Sequence, residues 1–255
     1  MESMKKYVNG KYIELTPEEI TAIQKEAERA ELAEKSQEEV DKIVKSIADA
    51  GVRNAARLAV MANEDTGFGI VADKVVKNVF GSYNVWQAIK DMKTIGVINR
   101  DEEKGLITIA SPMGVVAGVI PSTNPTSTTL FKAEVAIKAG NAIVFSPHPS
   151  ALRCIQETVK VIRQAISEVG GNPDLVSCIS IPTRQATETL MQHPDTAMIL
   201  ATGGSAMVRA AYSSGNPAIG VGPGNGPAFI DKSADLALAV KRILDSKTFD
   251  NGTIC

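Results

Sequence analysis

From Gly105 onward, short apolar runs rich in β-branched residues alternate with stretches whose apolar residues recur at helical spacing. The strand-like runs span 106–110, 115–120, 142–145, 176–181, 198–201, 218–221 and 228–230, and the helical patterns span 127–139, 150–169, 185–192, 205–213 and 234–246. Strand–helix alternation predicts an α/β fold in which a mostly parallel open sheet carries helices on both faces. A chain of 255 residues is long enough to bury a core of this kind.

The N-terminal part of the chain has a different pattern. Residues 6–8 and 11–15 flank the dipeptide Asn9-Gly10, which suits a type I′ turn, so a small hairpin is predicted. A capping box at 16–19 then predicts the start of a helix rich in Glu, Ala and Lys. Residues 1–35 are therefore predicted to form a divergent extension, either a solvated appendage or a docking peptide for a partner.

Amphipathic segments follow this extension. A second capping box, Ser36 with Glu39, predicts the start of a helix, and further helical patterns cover about 53–64 and 71–92. We expect these helices to pack against the sheet and to carry no chemistry.

Composition excludes several classes of function. The formal net charge is −2, which gives no electrostatic reason to expect nucleic acid or a membrane surface as a partner. Three cysteines without CxxC spacing and two histidines argue against a disulfide scaffold and against a metal site. Cys154 and Cys178 lie in apolar surroundings and are predicted core residues. The charged N-terminus has no long apolar run, so a cytoplasmic location is predicted.

Three predicted loops lie where ligands of open α/β sheets bind, beyond the carboxyl ends of strands. Loop 120–126 holds two prolines, an amide and several hydroxyls, which suit an oxygen-rich ligand; alternatively Asn124 or Thr126 merely caps the next helix. Loop 201–205 places Gly-Gly before a helix N-terminus, a weak indication of a phosphate site. Loop 220–227 has four glycines and two prolines, which favours a ligand-facing loop over a structural turn.

Two further residues could carry chemistry. Cys255 follows a polar, glycine-containing turn and is either an exposed thiol of lowered pKa or an inert terminal thiol. His148 comes directly after a strand, where it could bind a ligand or cap a helix, whereas His193 lies at a predicted helix end and is expected at the surface.

In their order along the chain, these segments resemble the CoA-acylating branch of the aldehyde dehydrogenase superfamily. The matching stretches are 64–67, 112–116, 121–127, 145–149, 200–204, 211–215, 220–226 and 249–255. The resemblance covers roughly residues 36–255. It implies a Rossmann-like NAD-binding domain, preceded by N-terminal helices and ending at the catalytic cysteine, with the remainder of the catalytic domain absent.

The resemblance implies an oxidoreductase that converts an aldehyde, NAD⁺ and CoA to acyl-CoA and NADH, with acetaldehyde as the default substrate. Cys255 would attack the aldehyde, and the Asn124 amide with the Cys255 backbone N–H would stabilise the oxyanion. Hydride transfer to NAD⁺ would leave a thioester, which CoA would then take. The full-length form is expected to be a homo-oligomer or a larger assembly.

The same resemblance implies a set of residues that contact NAD. They are Ile120, Pro121, Ser122, Thr123, Asn124, Ser146, Pro147, His148, Gly204, Ser205 and Gly222. Val221 stands at about the place where hydrolytic relatives carry a glutamate that activates water, which favours deacylation by a thiol. Ser146 stands where those relatives use a lysine for the adenosine ribose.

The resemblance also leaves two functions open. Cys255 as a terminal residue would carry a carboxylate that raises its thiol pKa, so little or no dehydrogenase activity is expected from this polypeptide alone. The alternative is a non-enzymatic homologue that binds a nucleotide or a partner, and an exposed apolar face would then favour self-association.

Overall fold

The computed structural model describes residues 5–8, 11–14, 37–224 and 226–253. The chain divides into two compact units, one of residues 1–39 with 93–111 and the other of residues 40–92 with 112–255. The predictions for the Asn9-Gly10 turn, the extension helix and Cys255 fall on residues outside the described ranges.

The first unit contains two antiparallel hairpins. Strand β1 (Lys5–Val8) pairs with β2 (Lys11–Glu14) in an antiparallel register that sets Val8 opposite Lys11. Strand β3 (Gly96–Asp101) pairs with β4 (Leu106–Ala110) in a second two-stranded sheet. The placement of 106–110 in the alternating series is therefore wrong, because β4 takes its hydrogen bonds from its neighbour in sequence and not from the parallel sheet.

The second unit opens with helices. They are α1 (37–53, whose first three residues belong to the first unit), α2 (Ala55–Thr66), α3 (Val71–Val79) and α4 (Val85–Ile89). The predicted helix 71–92 is interrupted by a π-helical turn, Phe80–Asn84, which joins α3 to α4. Gly81 lies in this turn, and a Cβ there would come within 2.8 Å of the Ser127 carbonyl oxygen. The π-helical turn thus lies where the backbone of Gly81 comes close to Ser127, in the helix Pro125–Lys138.

The main sheet is five-stranded and fully parallel, in the order β7-β6-β5-β8-β9. Its strands are β5 (Val115–Val119), β6 (Ala142–Ser146), β7 (Val176–Cys178), β8 (Thr196–Thr202) and β9 (Ala218–Val221), and helices α5 (Pro125–Lys138), α6 (Leu152–Glu168), α7 (Arg184–Gln192) and α8 (Ser205–Tyr212) connect them. The α/β prediction is confirmed. The strand order reverses between β5 and β8, which is the switch point where such sheets bind ligands.

The core lies on both faces of this sheet. Alternate residues of β5 point to opposite faces: Val116 packs in the larger cluster, with α5 and α6, while Ala117 and Val119 pack in the smaller one, with α7 and α8. Phe145 of β6 is fully buried, and Gly118 leaves room for its ring.

The last segment differs most from the sequence prediction. The expected strand 228–230 is wrong, because these residues form part of an irregular connection from β9 to α9 (Leu236–Thr248). Phe229 is 90% exposed, so this apolar run lacks the neighbouring strand that would bury it. Among the described residues, no helix is both long enough and apolar enough to cross a membrane.

Candidate functional site

A cavity of about 510 Å³ opens at the carboxyl ends of β5, β6 and β8. Six of the residues predicted to contact a cofactor line it: Ile120, Pro121, Ser146, Pro147, His148 and Gly204. Ser122, Thr123, Asn124, Ser205 and Gly222 do not line it, although the first four lie within four residues of ones that do. The cavity is in the volume range of small-molecule sites and lies at the topological switch point.

The Gly203-Gly204 turn forms one wall of this cavity. A Cβ at Gly204 would meet no atom within 4 Å, so this position leaves open space in which a ligand can approach the backbone. Helix α8 starts at the next residue, and in the described part of the chain no acceptor takes the N–H groups of Ser205 and Ala206. Free amides at a helix N-terminus suit a phosphate, so this wall fits the diphosphate of a dinucleotide.

Ser146 and His148 lie at the end of β6. The Ser146 hydroxyl is 2.7 Å from the Thr187 hydroxyl, and the Thr187 hydroxyl donates to the Thr183 carbonyl. Ser146 is therefore the donor to Thr187. The Ser146 oxygen keeps a lone pair that can accept a hydrogen bond from a ligand. His148 Nδ1 contacts Ser150, whose backbone N–H it caps, while the residue also lines the cavity. The capping alternative therefore holds for His148 without excluding a ligand.

Asn124 has a contact set that capping does not explain. It occupies the N-cap position of α5 but makes no side-chain capping bond. Its Oδ1 accepts from Lys77 Nζ at 2.8 Å, and its Nδ2 donates to the Thr253 carbonyl at 3.2 Å. The second proposed capping residue, Thr126, is buried and donates to Asn78 Oδ1. Asn124 thus lies beside the turn that leads into Cys255.

That turn is held by a buried cluster on α3. Asp250 and Asn251 have φ of 52° and 54°, a left-handed conformation that non-glycine residues adopt only when their surroundings impose it. The Asp250 carboxylate accepts from Lys77 at 2.5 Å, from Lys74 at 3.3 Å and from the Ile70 backbone at 2.6 Å. Its own backbone N–H donates to Asp73 at 2.7 Å. Contacts from four residues in or just before α3 therefore fix Asp250, three residues before the end of the described chain.

Opposing effects act on the protonation of Asp250. Burial alone would raise its pKa, but the Lys77 and Ile70 hydrogen bonds and the charges of Lys74 and Lys77 hold the pKa below its ordinary value. Asp250 is therefore charged at neutral pH, and the Lys77 ammonium also lies 5.6 Å from the centre of the Phe249 ring.

The sequence analysis did not identify Lys74, Lys77 and Asp250 as residues near the candidate site. The expectation that the helices before the sheet carry no chemistry stays a prediction, but Lys77 of α3 contacts Asn124, which lies 47 residues away in the sequence. The available signal was weak: two lysines three residues apart on one helix face, and a distant Asp-Asn-Gly turn.

The remaining cysteines are poor nucleophiles. Cys154 is fully buried, and burial raises its pKa far above the ordinary value; Cys178 packs against the core, and burial raises its pKa to about 12. Lys132, buried in α5, donates to the Val119 and Leu200 carbonyls, and burial lowers its pKa to about 7. No group of three or more His, Cys, Asp or Glu side chains is close enough to hold a metal ion within the described ranges.

Similar proteins are found both by sequence and by structure. The profile of the Aldehyde dehydrogenase family matches residues 2–255. The bifunctional aldehyde-alcohol dehydrogenase AdhE of Escherichia coli K12 is 49% identical over 231 residues, 91% of this chain and 26% of that protein. A probable aldehyde dehydrogenase of Listeria monocytogenes EGD-e superimposes with a TM-score of 0.84 and is 59% identical. An acetylating aldehyde dehydrogenase of Geobacillus thermoglucosidasius has the same TM-score and is 54% identical.

These relatives are longer than the chain. It spans about a quarter of the bifunctional protein. The match to each of the two solved structures includes 92% of this chain and 53% of the chain in that structure.

Proposed function

Because this chain belongs to the aldehyde dehydrogenase family, we propose that it carries the nucleotide site and the nucleophile of a CoA-acylating aldehyde dehydrogenase. The reaction oxidises an aldehyde with NAD⁺ and transfers the acyl group to CoA. The name of the acetylating relative from Geobacillus supports the acylating type, and acetaldehyde is the default substrate.

One observation carries this proposal. The Asn124 amide lies between Lys77 and the Thr253 carbonyl, and Cys255 is two residues beyond Thr253. One Asn124 N–H donates to Thr253, and no acceptor in the described part of the chain takes the other. The Asn124 N–H left free in the described chain would stabilise the oxyanion that forms when the Cys255 thiolate attacks a carbonyl.

The residues divide the chemistry between them. The Cys255 sulfur forms a bond to the aldehyde carbon, and the carbonyl oxygen takes the electron pair as an oxyanion facing the free Asn124 N–H. NAD⁺, when bound, accepts the hydride. The acyl group then remains on sulfur as a thioester, and the thiolate form of CoA attacks its carbonyl carbon and displaces Cys255 as a thiolate.

Deacylation by a thiol is supported by the end of β9. Val221 is the last residue of that strand, about where hydrolytic relatives carry a glutamate, and its side chain cannot take a proton from water. Without a base at this position, the thioester is more readily attacked by a thiol than by water. Deacylation by a thiol, and not by water, stays a prediction.

The dinucleotide is proposed to lie in the cavity at the carboxyl ends of β5, β6 and β8. The Ser205 and Ala206 amides would hold the diphosphate, and the Ser146 hydroxyl would accept a hydrogen bond from a hydroxyl of the adenosine ribose. Ser122, Thr123 and Gly222 remain proposed contacts at the nicotinamide side.

The test is thermal unfolding of the chain during titration with NAD⁺. A ligand that binds only the folded state stabilises it by about 2.7 kcal/mol at a hundredfold excess over its Kd, so a saturable rise in Tm is expected. Gly204→Val should abolish the rise and leave the Tm without NAD⁺ near wild type, because the new side chain projects into open cavity space. Turnover of aldehyde and CoA by the 255-residue polypeptide tests the separate expectation that it has little activity alone.

Ala234→Val is the matched control. It adds a valine side chain at an exposed residue outside the cavity, so it should keep the wild-type NAD⁺ response. A wild-type protein without any NAD⁺-dependent shift, or a G204V protein that still shifts fully, would contradict the proposed nucleotide site.

A further inference from the structure

The described hydrogen bonds of Lys77 connect the Asn124 amide to the turn that leads into Cys255. Its Nζ lies 2.8 Å from Asn124 Oδ1, 2.5 Å from Asp250 Oδ2 and 2.8 Å from the Thr253 carbonyl oxygen. A lysine ammonium can donate three hydrogen bonds and accept none. Its side chain is 12% exposed, so the packing around it restricts where the ammonium can lie.

These contacts determine which way the Asn124 amide faces. An atom that contacts an ammonium must be an acceptor, so it is Oδ1; an atom that contacts the Thr253 carbonyl must be a donor, so it is Nδ2. An amide rotated by 180° would place its NH₂ against the ammonium and its oxygen against a carbonyl, losing both hydrogen bonds. Lys77 and Thr253 therefore select one of the two amide orientations.

The cation also strengthens the amide as a donor. A positive charge at Oδ1 draws electron density from the amide, and a polarised N–H makes a stronger hydrogen bond to a negatively charged oxygen. Resting on the function proposed above, we infer that Lys77 is a positioning residue for the reaction: it orients and polarises Asn124, so that the second N–H of Asn124 points to the forming oxyanion.

Lys74 provides the comparison that separates this role from simple support of the turn. Its Nζ also contacts the Asp250 carboxylate, at 3.3 Å, and it donates to the Thr123 carbonyl at 3.0 Å. Its side chain is even less exposed than that of Lys77, but its described hydrogen bonds do not include the Asn124 amide. Both lysines hold the same turn, and Lys77 alone of this pair contacts the amide.

The experiment compares two reactions of Cys255 in the 255-residue chain. In acylation by p-nitrophenyl acetate, the thiolate bonds to the carbonyl carbon, the oxygen becomes an oxyanion, and the C–O bond then breaks to release nitrophenolate. In alkylation by iodoacetamide, the thiolate displaces iodide from a CH₂ group and no oxyanion forms. The ratio of the two rate constants therefore reports oxyanion stabilisation and cancels changes in thiolate content. Mass spectrometry of the Cys255 peptide assigns both reactions to that residue.

Lys77→Met is expected to lower the acylation-to-alkylation ratio about tenfold, somewhat less than loss of an oxyanion donor itself. Lys77→Arg keeps the charge and the donors and should recover most of the ratio. Lys74→Met disturbs the same turn without removing a contact to the Asn124 amide, and it should lower the ratio much less than Lys77→Met. Lys77→Gln keeps a donor for Asp250 but removes the cation, and it replaces K77M if that variant does not fold.

Asn124→Ala distinguishes a failure of the Lys77 role from a failure of the proposed oxyanion site. If N124A lowers the ratio and the Lys77 variants do not, the inference about Lys77 is wrong and the proposed oxyanion role of Asn124 stands. If N124A leaves the ratio unchanged, or if wild-type Cys255 is acylated no faster than a free cysteine peptide, the proposed oxyanion site fails and the inference fails with it. A ratio lowered equally by K74M and K77M would also overturn the inference, because it would reduce Lys77 to a support of the turn.

Discussion

Glu134 of α5 is a buried carboxyl group without a hydrogen-bond partner among the described residues. Its side chain is fully buried, and neither carboxylate oxygen has a hydrogen-bond partner in the described part of the chain. Burial raises its pKa to about 9, so it is protonated at neutral pH in the folded protein. A buried carboxyl without partners costs free energy even when neutral, and more when it must hold a proton that the unfolded chain would release.

This burial makes the stability of the protein depend on pH. The folded pKa is raised above the unfolded value of 4.5, so Glu134 has no ionisation cost below pH 4.5 and an increasing cost up to about pH 9. The slope is about 1.4 kcal/mol per pH unit in that window. Glu134→Gln removes this titration, so its free energy of unfolding relative to wild type should rise by on the order of 4 kcal/mol from pH 5 to pH 8.

Urea unfolding of both proteins at the two pH values measures this difference. Lys132, whose pKa is about 7, titrates in the same range in both proteins and so cancels from the comparison. Glu168→Gln, on the exposed end of α6, is the matched control and should show no pH-dependent gap. A gap for E134Q that is the same at pH 5 and pH 8 would show that Glu134 is ionised in the folded state.

Individual site residues were predictable to different degrees. Asn124 and the residues at the strand ends could be proposed from the sequence, because a local pattern of loops and glycines marks the carboxyl edge of the sheet. Lys77 was not, because its partner Asp250 is 173 residues away and nothing local to α3 indicates the pairing. Buried ion pairs between distant segments depend on tertiary packing, which one sequence does not reveal.

At the level of elements, strand–helix alternation was reliable where a segment joins the parallel sheet or covers it. Strand β9 has the predicted bounds, and α5 differs from its prediction by two residues at the start and one at the end. The predicted strand 228–230 fails because hydrophobicity alone does not supply a hydrogen-bonding neighbour. The break between α3 and α4 was not predictable, since the segment keeps helical apolar spacing through the π-helical turn.

Gly81 gives this π-helical turn a testable requirement. A Cβ there would lie 2.8 Å from the Ser127 carbonyl oxygen and 3.2 Å from the Ser127 Cβ, and a backbone atom cannot move aside cheaply. Gly81→Ala should lower the free energy of unfolding by about 1–3 kcal/mol, in the range of overpacked sites, although alanine is the better helix former. Urea unfolding measures the change.

Gly226→Ala is the control for this substitution. Its Cβ would meet no atom within 4 Å, so its effect should stay within about 0.5 kcal/mol. A G81A protein as stable as the G226A protein would mean that the turn and α5 can separate without cost.

At the scale of the whole molecule, the order of the five parallel strands brings the separately predicted loops together. Loops 120–126 and 201–205 follow β5 and β8, which are neighbours in the sheet although their last paired residues, Val119 and Ala201, lie 82 residues apart in the sequence. The cavity therefore arises from topology, and the general rule for open α/β sheets anticipated its location. The separate two-stranded sheet of β3 and β4 was not anticipated, because a strand's partner is not encoded in its own residues.

Helix α9 exposes apolar side chains that could bring two chains together. Leu236, Val240 and Leu244 recur every four residues and form one stripe along the helix, and each is at least 45% exposed. None of the residues of α9, all of which lie in the described range 226–253, is buried. Exposed apolar stripes of this kind favour association, so the chain should self-associate as its concentration rises.

Sedimentation velocity over a concentration series tests this expectation. The wild-type weight-average sedimentation coefficient should rise with concentration, and the double variant L236Q/L244Q should suppress the rise, since glutamine keeps helix propensity and removes apolar area. The control I181Q/M113Q removes two exposed apolar side chains elsewhere and should associate like wild type. If L236Q/L244Q associates as strongly as wild type, another surface mediates self-association; if wild type stays monomeric throughout, the α9 stripe is tolerated in water as a solvated helix face.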